Sequence, residues 1–260
     1  MTSAMRLDCA TRQSTEQSLT AAFNCSVEAL RKFVADTAHG AYYDEHWQRL
    51  DAFDRWFYQR ACEQFGQPVL PTEICWFHGT RVPSGTTFAE GVLPLGDWLP
   101  SLREAVLGTL DDEDARREVV AAFDRQGGFG MHFGNKVKDP LHWGPYAILV
   151  REVADNAKAI GQHDYLAMPE IIEDLCEDVR LASGLDLLAV FEERWRPAMV
   201  KFTAPAGDAA DFALAIALCY LRECALKDRP GFGAVWCFDG HGQAVPAGSI
   251  LSVEGVTERT

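Results

Sequence analysis

Short runs of β-branched and aromatic residues are interspersed with longer helical segments in this chain, and no such run leads through a glycine-rich loop into a helix. Runs of this kind are typical of strands that are buried in a sheet. The lack of strand–loop–helix units argues against a Rossmann or P-loop sheet, which binds phosphate groups through them. The pattern therefore predicts an α+β fold with a mixed sheet, with strands at residues 73–78, 146–153, 198–202, 234–238 and 250–253.

The first 70 residues have a different pattern, in which apolar residues recur at intervals of three and four. This spacing predicts two helices, over residues 14–37 and 44–65, which we interpret as a helical hairpin occupying residues 1–70. The remainder, residues 71–260, is predicted to form the main domain. It is expected to contain helical segments at 99–125, 168–194 and 208–227, and a very short strand within the glycine-rich segment 128–135.

The charge of the chain limits what it can bind. Its 260 residues include 24 Lys and Arg against 38 Asp and Glu, which gives a net charge of −14. This charge opposes non-specific attraction to nucleic acid or to an anionic membrane, so neither non-specific nucleic-acid binding nor membrane binding is expected, with a local basic pocket as the alternative. The sequence has no run of about 18 apolar residues and no apolar signal-peptide segment. We therefore expect a cytoplasmic protein, with export without a cleaved signal peptide as the alternative.

Cysteines and known catalytic motifs give mainly negative information. The eight cysteines are scattered, without a CxxC pair, which indicates reduced core thiols rather than a disulfide framework. The HExxH, GxSxG and P-loop motifs are missing. His132 and His142 come nearest to metal-ligand spacing, but they lie on a predicted loop, so no metal site is predicted. The carboxylates of Glu170, Glu173 and Asp174 are interpreted as a solvated helix face, with general acid–base use as the alternative.

One informative segment is His78-Gly79-Thr80-Arg81, at the exit of the first predicted strand of the main domain. A histidine at a strand edge can direct a ring nitrogen to a ligand hydroxyl, and a following glycine lets the ligand approach the backbone closely. The planar guanidinium of Arg81 matches the oxygens of a pyrophosphate. The alternatives are an ordinary core or surface histidine and a solvent-exposed arginine.

A second informative segment, Gly128-Phe129-Gly130-Met131-His132-Phe133-Gly134-Asn135, has glycines on both sides of a short predicted strand. Adjacent strand residues point to opposite faces, so His132 is expected to face a cleft and Phe133 the core. The alternative is a glycine-rich loop with an ordinary histidine.

Taken in order, these segments resemble the NAD-binding core of ADP-ribosyltransferases, in the diphtheria-toxin-like and poly-ADP-ribose-polymerase branch. The first strand of that core ends in His-Gly-Thr or His-Gly-Ser, and its second strand reads Gly-x-Gly-Ile-Tyr-Phe-Ala-Asp. The run from Val235 to Asp239, followed by Val245-Pro246 and Ile250-Leu251, resembles the last strands of the core. The resemblance covers about residues 73–255 and implies a split mixed sheet behind an N-terminal helical segment.

The resemblance also implies roles for single residues. His78 would hydrogen-bond the ribose next to the adenine, Gly79 and Thr80 would contact the nicotinamide or its ribose, and His132 would replace the tyrosine on which nicotinamide stacks. Tyr146 would lie over the nicotinamide or recognise the acceptor, with core packing as the alternative. The cofactor-binding residues predicted in this way are His78, Gly79, Thr80, Arg81, Gly130, His132, Phe133 and Tyr146.

This sequence departs from the family pattern at two places. The glutamate that completes the family's triad would fall at Ala234 or Val235, so its electrostatic contribution is missing there. Asp239 is the nearest carboxylate along the chain, and we predict His78, His132 and Asp239 as the catalytic residues. The second departure is His132 in place of tyrosine, which makes the triad similar to that of the RNA 2′-phosphotransferases of the same fold.

The sequence thus predicts NAD-dependent ADP-ribosyl transfer to a protein or nucleic-acid acceptor, as a toxin, effector or defence protein. One alternative is an RNA 2′-phosphotransferase-like enzyme that uses NAD. The other is a catalytically silent member of the fold that binds a nucleotide or a partner. NAD and a macromolecular acceptor of unknown identity are the expected partners.

Overall fold

A six-stranded sheet runs through the computed structural model, which describes residues 5–36, 38, 42, 53–125 and 131–256. The strands follow the order β5-β3-β2-β4-β6, and the short β1 pairs with β2 in parallel. The β2–β3 and β4–β6 pairs are antiparallel. Strand bounds are Arg6–Leu7 (β1), Glu73–Pro83 (β2), Tyr146–Ile148 (β3), Trp195–Pro205 (β4), Cys237–Asp239 (β5) and Ile250–Gly255 (β6).

Helices make up most of the remaining regular structure, and together with this sheet they confirm the predicted α+β class. Their bounds are Arg12–Phe23 (α1), Val27–Ala35 (α2), Phe53–Phe65 (α3), Leu95–Thr109 (α4), Glu113–Arg125 (α5), Met131–Lys138 (α6), Arg151–Asp155 (α7), Glu170–Ser183 (α8), Leu188–Arg194 (α9) and Ala210–Lys227 (α10). None of the helices within the described ranges is long and apolar enough to cross a membrane.

The chain forms two compact units. The first contains the described residues of Met1–Phe77, Ile148–Gln162 and Thr203–Cys237. The second contains those of His78–Ala147, His163–Phe202 and Phe238–Thr260. The predicted division at residues 70 and 71 stays a prediction, and the first part of its second predicted helix, at 44–52, lies outside the described residues.

In the first unit, α10 is the central helix and packs against α1, α2 and α3. Its buried Arg222 donates to the carbonyl oxygens of Val34, at 3.1 Å, and Asp36, at 2.9 Å. These carbonyls lie at the end of α2, where backbone acceptors lack helical partners. The Trp76 and Trp236 rings also pack in this unit, with centroids 4.9 Å apart at an interplanar angle of 60°.

A carboxylate joins three helices of the same unit. Glu152 on α7 accepts hydrogen bonds from Arg12 on α1, with Nη2 to Oε1 at 2.8 Å, and from the Tyr220 hydroxyl on α10, at 2.6 Å. Arg12 also contacts Asp228 with Nη1 to Oδ1 at 2.6 Å. Because Glu152 is half-buried, each of these donors replaces water that its charge would otherwise need.

The second unit has its own hydrophobic core, to which α4, α5, α6, α8 and α9 contribute. Trp195, at the start of β4, is fully buried in this core. Its indole Nε1 donates to Thr109 Oγ1 at 2.8 Å, so this polar atom is satisfied in an apolar environment.

Several predicted elements are shorter or divided. The helix expected at 14–37 is two helices, because Asn24 takes a left-handed conformation (φ 48°) that ends α1 and Ser26 caps α2. The helix expected at 99–125 is likewise divided into α4 and α5, and the segment 168–194 into α8 and α9. The strand expected at 146–153 ends at Ile148, and a helical turn, α7, follows from Arg151.

The short strand expected within 128–135 is wrong for its described part, which belongs to helix α6. Phe133 is fully buried, and Val137 packs against the same apolar cluster. Residues four apart share one face of a helix, so helical geometry buries both of these side chains together, whereas strand geometry was inferred from the flanking glycines.

None of the eight cysteines, all of which lie within the described ranges, forms a disulfide. Cys9, Cys75, Cys176, Cys219 and Cys224 are buried, Cys25 and Cys62 are half-buried, and Cys237 is exposed.

Candidate functional site

The candidate site is centred on His78, in the second unit, where β2 runs beside β3. His78 Nδ1 lies 2.7 Å from the backbone carbonyl oxygen of Tyr146. A carbonyl oxygen can only accept, so Nδ1 carries the proton. Burial lowers the pKa of His78, and this hydrogen bond offsets only part of that effect. The ring is therefore neutral near pH 7, which leaves Nε2 as a hydrogen-bond acceptor.

Nε2 of His78 has no hydrogen-bond partner within the part of the chain that the structure describes. A neutral imidazole with its Nδ1–H bound to a carbonyl presents a fixed acceptor at the opposite ring nitrogen. Such an acceptor is suited to a hydroxyl group of a ligand. This is the role predicted for His78 from its position at a strand edge.

Tyr146 lies beside His78 and is 38% exposed. Its hydroxyl donates to the carbonyl oxygen of Leu141 at 2.7 Å. Burial raises the pKa of Tyr146, and the negative charges of Asp239 and Glu170 raise it further. The phenol therefore stays protonated at neutral pH, and its neighbourhood carries negative charge from two carboxylates.

Asp239 reaches this neighbourhood because β5 is the neighbour of β3 in the sheet. The amide of Gly240 donates to the carbonyl of Pro145 at 2.9 Å, which fixes the end of β5 beside the start of β3. Asp239 Oδ1 accepts from the amide of His241 at 2.7 Å, and Oδ2 lies 3.3 Å from His241 Nδ1. The structure thus brings together three predicted site residues: His78, Tyr146 and Asp239.

Sequence reasoning missed an ion pair next to this group. Lys136 Nζ on α6 lies 2.7 Å from both Glu170 Oε2 and Asp174 Oδ2 on α8. Burial alone would raise the pKa of Glu170, but its contacts with Lys136 lower it overall. The sequence analysis treated Glu170 and Asp174 as part of a solvated helix face, because their pairing with Lys136 spans at least 34 positions and follows from the packing of α6 on α8.

The side chain of Arg81 is directed to backbone oxygens. It is buried, Nη1 donates to the carbonyls of Leu166 and Ala167 at 3.4 and 3.3 Å, and Nη2 donates to that of Glu192. These acceptors occupy donors that a pyrophosphate would need, so the predicted contact of Arg81 with a pyrophosphate has no support from its surroundings.

Gly79 and Thr80 are consecutive residues of β2 and therefore lie on opposite faces of the strand. A Cβ at Gly79 would meet Leu166 Cδ2 at 3.5 Å and Met199 Cε at 3.8 Å, so this face of β2 is covered by apolar atoms. Thr80 is buried and, by strand alternation, lies on the same face as His78.

The remaining predicted residues are not assembled with His78. His132 is exposed on α6, and no contact within the described residues joins it to His78 or Tyr146. Phe133 is fully buried and packs edge-to-face on Phe123 with centroids 5.3 Å apart. Gly130 lies outside the described residues.

Neither a metal site nor a comparison with known proteins helps to assign this site. Among the described residues there is no group of three or more His, Cys, Asp or Glu side chains that could hold a metal ion. No protein-family model, no curated protein and no solved structure matches this chain.

Proposed function

We propose that this protein transfers ADP-ribose from NAD to a macromolecular acceptor, a protein or a nucleic acid. The proposal extends to a split sheet of the ADP-ribosyltransferase type, with the site at β2 and β3. One observation carries it: His78 donates through Nδ1 to the Tyr146 carbonyl and keeps Nε2 as an acceptor. An NAD ribose presents the hydroxyl donor that such a nitrogen binds.

The reaction breaks the bond between the nicotinamide nitrogen and C1′ of its ribose. The electron pair of this bond leaves with nicotinamide, which becomes neutral, while positive charge develops on the ribose. The acceptor then forms a new bond to C1′ and loses a proton. Within this scheme His78 orients the dinucleotide, and the carboxylate of Asp239 stabilises the positive ribose, in place of the missing glutamate.

Asp239 is the carboxylate we assign to this role because its charge acts on Tyr146, which adjoins His78. Tyr146 supplies a partly exposed aromatic surface at the same place, suited to stacking on nicotinamide. Tyr146 thus takes over the stacking role that the sequence assigned to His132.

The RNA 2′-phosphotransferase alternative requires cationic side chains that can hold a phosphate. Of the cationic side chains described at and near the site, Arg81 is bound to three carbonyl oxygens and Lys136 to two carboxylates. The geometry therefore favours ADP-ribosyl transfer over this alternative. The second alternative is a catalytically silent protein that binds a nucleotide or a partner. The experiments below distinguish it from an active transferase.

The test measures nicotinamide released from NAD by the full chain in the presence of a cell lysate that supplies acceptors. We expect His78→Ala and Asp239→Asn to reduce release at least tenfold. His142→Ala is the matched control, because His142 is an exposed histidine of the same unit that is not part of the candidate site. Its Nε2 lies 4.0 Å from Oδ2 of Asp139. Release that is unchanged in His78→Ala would overturn the proposal.

A melting experiment with added NAD separates binding from catalysis. A bound ligand raises the melting temperature by mass action, so wild type should melt higher with NAD and His78→Ala should not. An NAD-dependent rise without nicotinamide release would show the silent alternative. The lack of any rise in wild type would contradict both.

A further inference from the structure

An exposed surface of the second unit surrounds Tyr146, and we call it the acidic rim: Asp139, Leu141, Tyr165 and Glu170. Leu141 is 80% exposed and Tyr165 is 39% exposed. The carboxylates of Asp139 and Glu170 are partly exposed. The rim thus presents an apolar side chain, an aromatic ring and two carboxylates to solvent.

The backbone of Leu141 joins one carboxylate of the rim to Tyr146. Asp139 Oδ1 accepts from the amide of Leu141 at 3.0 Å. The carbonyl oxygen of Leu141 accepts from the Tyr146 hydroxyl at 2.7 Å. A single residue therefore places the Asp139 carboxylate near the Tyr146 phenol.

Glu170 joins Tyr165 to the same neighbourhood. Burial alone would raise the pKa of Glu170, but its contacts with Lys136 and the hydroxyl of Tyr165 lower it overall. Glu170 is therefore ionised at neutral pH, and its charge acts on Tyr146 together with the charge of Asp239. The surroundings of Tyr146 are negative from more than one direction.

Lysines near the rim do not cancel this charge. The segments 136–146, 163–174 and 238–241, which carry the rim, Tyr146 and Asp239, contain six carboxylates and two lysines, and this leaves four negative charges when the histidines are neutral. One of these lysines, Lys136, is bound between Glu170 and Asp174, at 2.7 Å from an oxygen of each. The rim is therefore a surface of net negative charge.

Charge complementarity indicates which partner fits this surface. A negative potential attracts a cationic segment and repels the phosphates of a nucleic acid, and the net charge of −14 on the whole chain acts in the same direction. Guanidinium and ammonium groups also bind to the faces of tyrosine rings. Carboxylates beside an exposed tyrosine ring are therefore suited to arginine and lysine side chains.

We propose that the acidic rim binds a positively charged segment of a protein, which presents the acceptor group to the site. The inference rests on the proposed function, which allows a protein or a nucleic acid as acceptor, and it selects the protein. Arginine or lysine side chains of the segment lie against Tyr165 and pair with the carboxylates of Asp139 and Glu170. Tyr146 and Asp239 stay available for NAD.

Binding measured without NAD tests the rim independently of catalysis. Fluorescence anisotropy follows the full chain as it binds a fluorescein-labelled peptide of alternating arginine and glycine. We expect binding that weakens at least tenfold between 0.05 M and 0.5 M salt, because salt screens the attraction. The same peptide with glutamate in place of arginine should not bind, and neither should a single-stranded RNA of equal length.

Two double variants separate the rim from the charge of the whole chain. Asp139→Asn combined with Glu170→Gln removes two charges at nearly constant size, and we expect it to weaken peptide binding at least fivefold. Glu113→Gln combined with Asp114→Asn is the matched control. It removes two exposed charges on α5, which pair with Arg116 and Arg117, and it should weaken binding less than twofold.

Each outcome decides for or against the inference. Equal weakening by the two double variants overturns it, because binding then follows net charge alone. RNA that binds the chain and loses affinity in the rim variant also overturns it. If the rim variant does not fold, the preference of the wild-type chain for the arginine peptide over RNA decides.

The inference and the proposed function fail in different ways. Peptide binding that depends on the rim, without nicotinamide release from NAD in a cell lysate, would overturn the proposed function alone. Nicotinamide release by a chain that does not bind the arginine peptide would overturn this inference alone.

Discussion

His78 Nδ1 lies 2.7 Å from the carbonyl oxygen of Tyr146, so the backbone of β3 decides which nitrogen of the His78 ring carries the proton. A neighbouring strand, rather than another side chain, thereby sets the chemistry of this histidine. The arrangement tolerates changes of the Tyr146 side chain, because only its main chain is used.

The first prediction concerns the pH dependence of His78. Burial lowers the pKa of His78 below the ordinary value near 6.5, so the unfolded state takes up the proton first as pH falls. We expect the contribution of His78 to stability to be complete above about pH 6.5 and to disappear as pH falls through the lower folded pKa. Urea unfolding between pH 7.5 and 5 should show this decline, and His78→Gln should flatten it. A ring that titrates above 6.5 by NMR would contradict the prediction.

The second prediction concerns Tyr146 and Asp239. Because burial and then the charge of Asp239 raise the pKa of Tyr146, Asp239→Asn should lower that pKa. The change can be read from the ultraviolet titration of tyrosine, with Tyr146→Phe used to identify the signal. Asp124→Asn is the control, since Asp124 pairs with Arg103 at 3.0 Å, and it should leave the Tyr146 titration unchanged. Equal effects of both variants would mean that Asp239 does not act locally.

The third prediction concerns Glu152. Glu152→Ala deprives Arg12 and the Tyr220 hydroxyl of their shared acceptor, and it should cost about 1–3 kcal/mol in the free energy of unfolding. Glu63→Ala removes an exposed carboxylate paired with Arg60 and should cost less than about 1 kcal/mol.

The Glu152 contribution also has a defined pH dependence. Burial would raise the pKa of Glu152, but the hydrogen bonds from Arg12 and Tyr220 lower it overall. Its stabilisation is thus present above the unfolded carboxyl pKa and lost as pH falls through the lower folded value. Urea unfolding at pH 7 and pH 4 measures both effects, and a difference between the variants that persists at very low pH would contradict this assignment.

The fourth prediction compares two glycines of the second unit. Gly91 has a φ of +94°, and a Cβ there would collide with the backbone oxygen of Val245. Gly91→Ala should therefore destabilise the protein by several kcal/mol, about 3 or more, since both the backbone and the contact are unfavourable. Gly108 lies in α4 with no atom within 4 Å of an added Cβ, so Gly108→Ala should stabilise by about 0.5–1 kcal/mol. Thermal unfolding distinguishes the two, and a neutral Gly91→Ala would refute the collision.

The sequence predicted the α+β class and parts of β2 and β4, because the residues at 74–77 and 198–202 are mainly apolar. The apolar stretch from Phe212 to Leu221 in α10 was equally clear. The break at Asn24 was missed, because a left-handed residue inside a helical pattern leaves the apolar spacing nearly unchanged. The helix α6 was missed because glycines at 128, 130 and 134 suggested a hinge.

The site was predictable in part. His78 and Tyr146 could be named from strand-edge position and family resemblance, and Asp239 from its place along the chain. The ion pair of Lys136 with Glu170 and Asp174 could not be found, because it depends on how α6 packs on α8. The carbonyl partners of Arg81 likewise come from segments about 85 to 111 residues away.

The packed indoles of Trp76 and Trp236 give the first unit an optical signature of its own. Two indole rings whose centroids are 4.9 Å apart and whose planes are inclined at 60° couple their electronic transitions. The circular dichroism signal of the Trp76–Trp236 pair therefore reports the unfolding of the first unit. The part of the fluorescence change that is lost in Trp195→Phe comes from Trp195 and reports the unfolding of the second unit. Different urea midpoints for the two signals would reveal an intermediate with one unit melted, and coinciding midpoints would make the whole chain a single cooperative system.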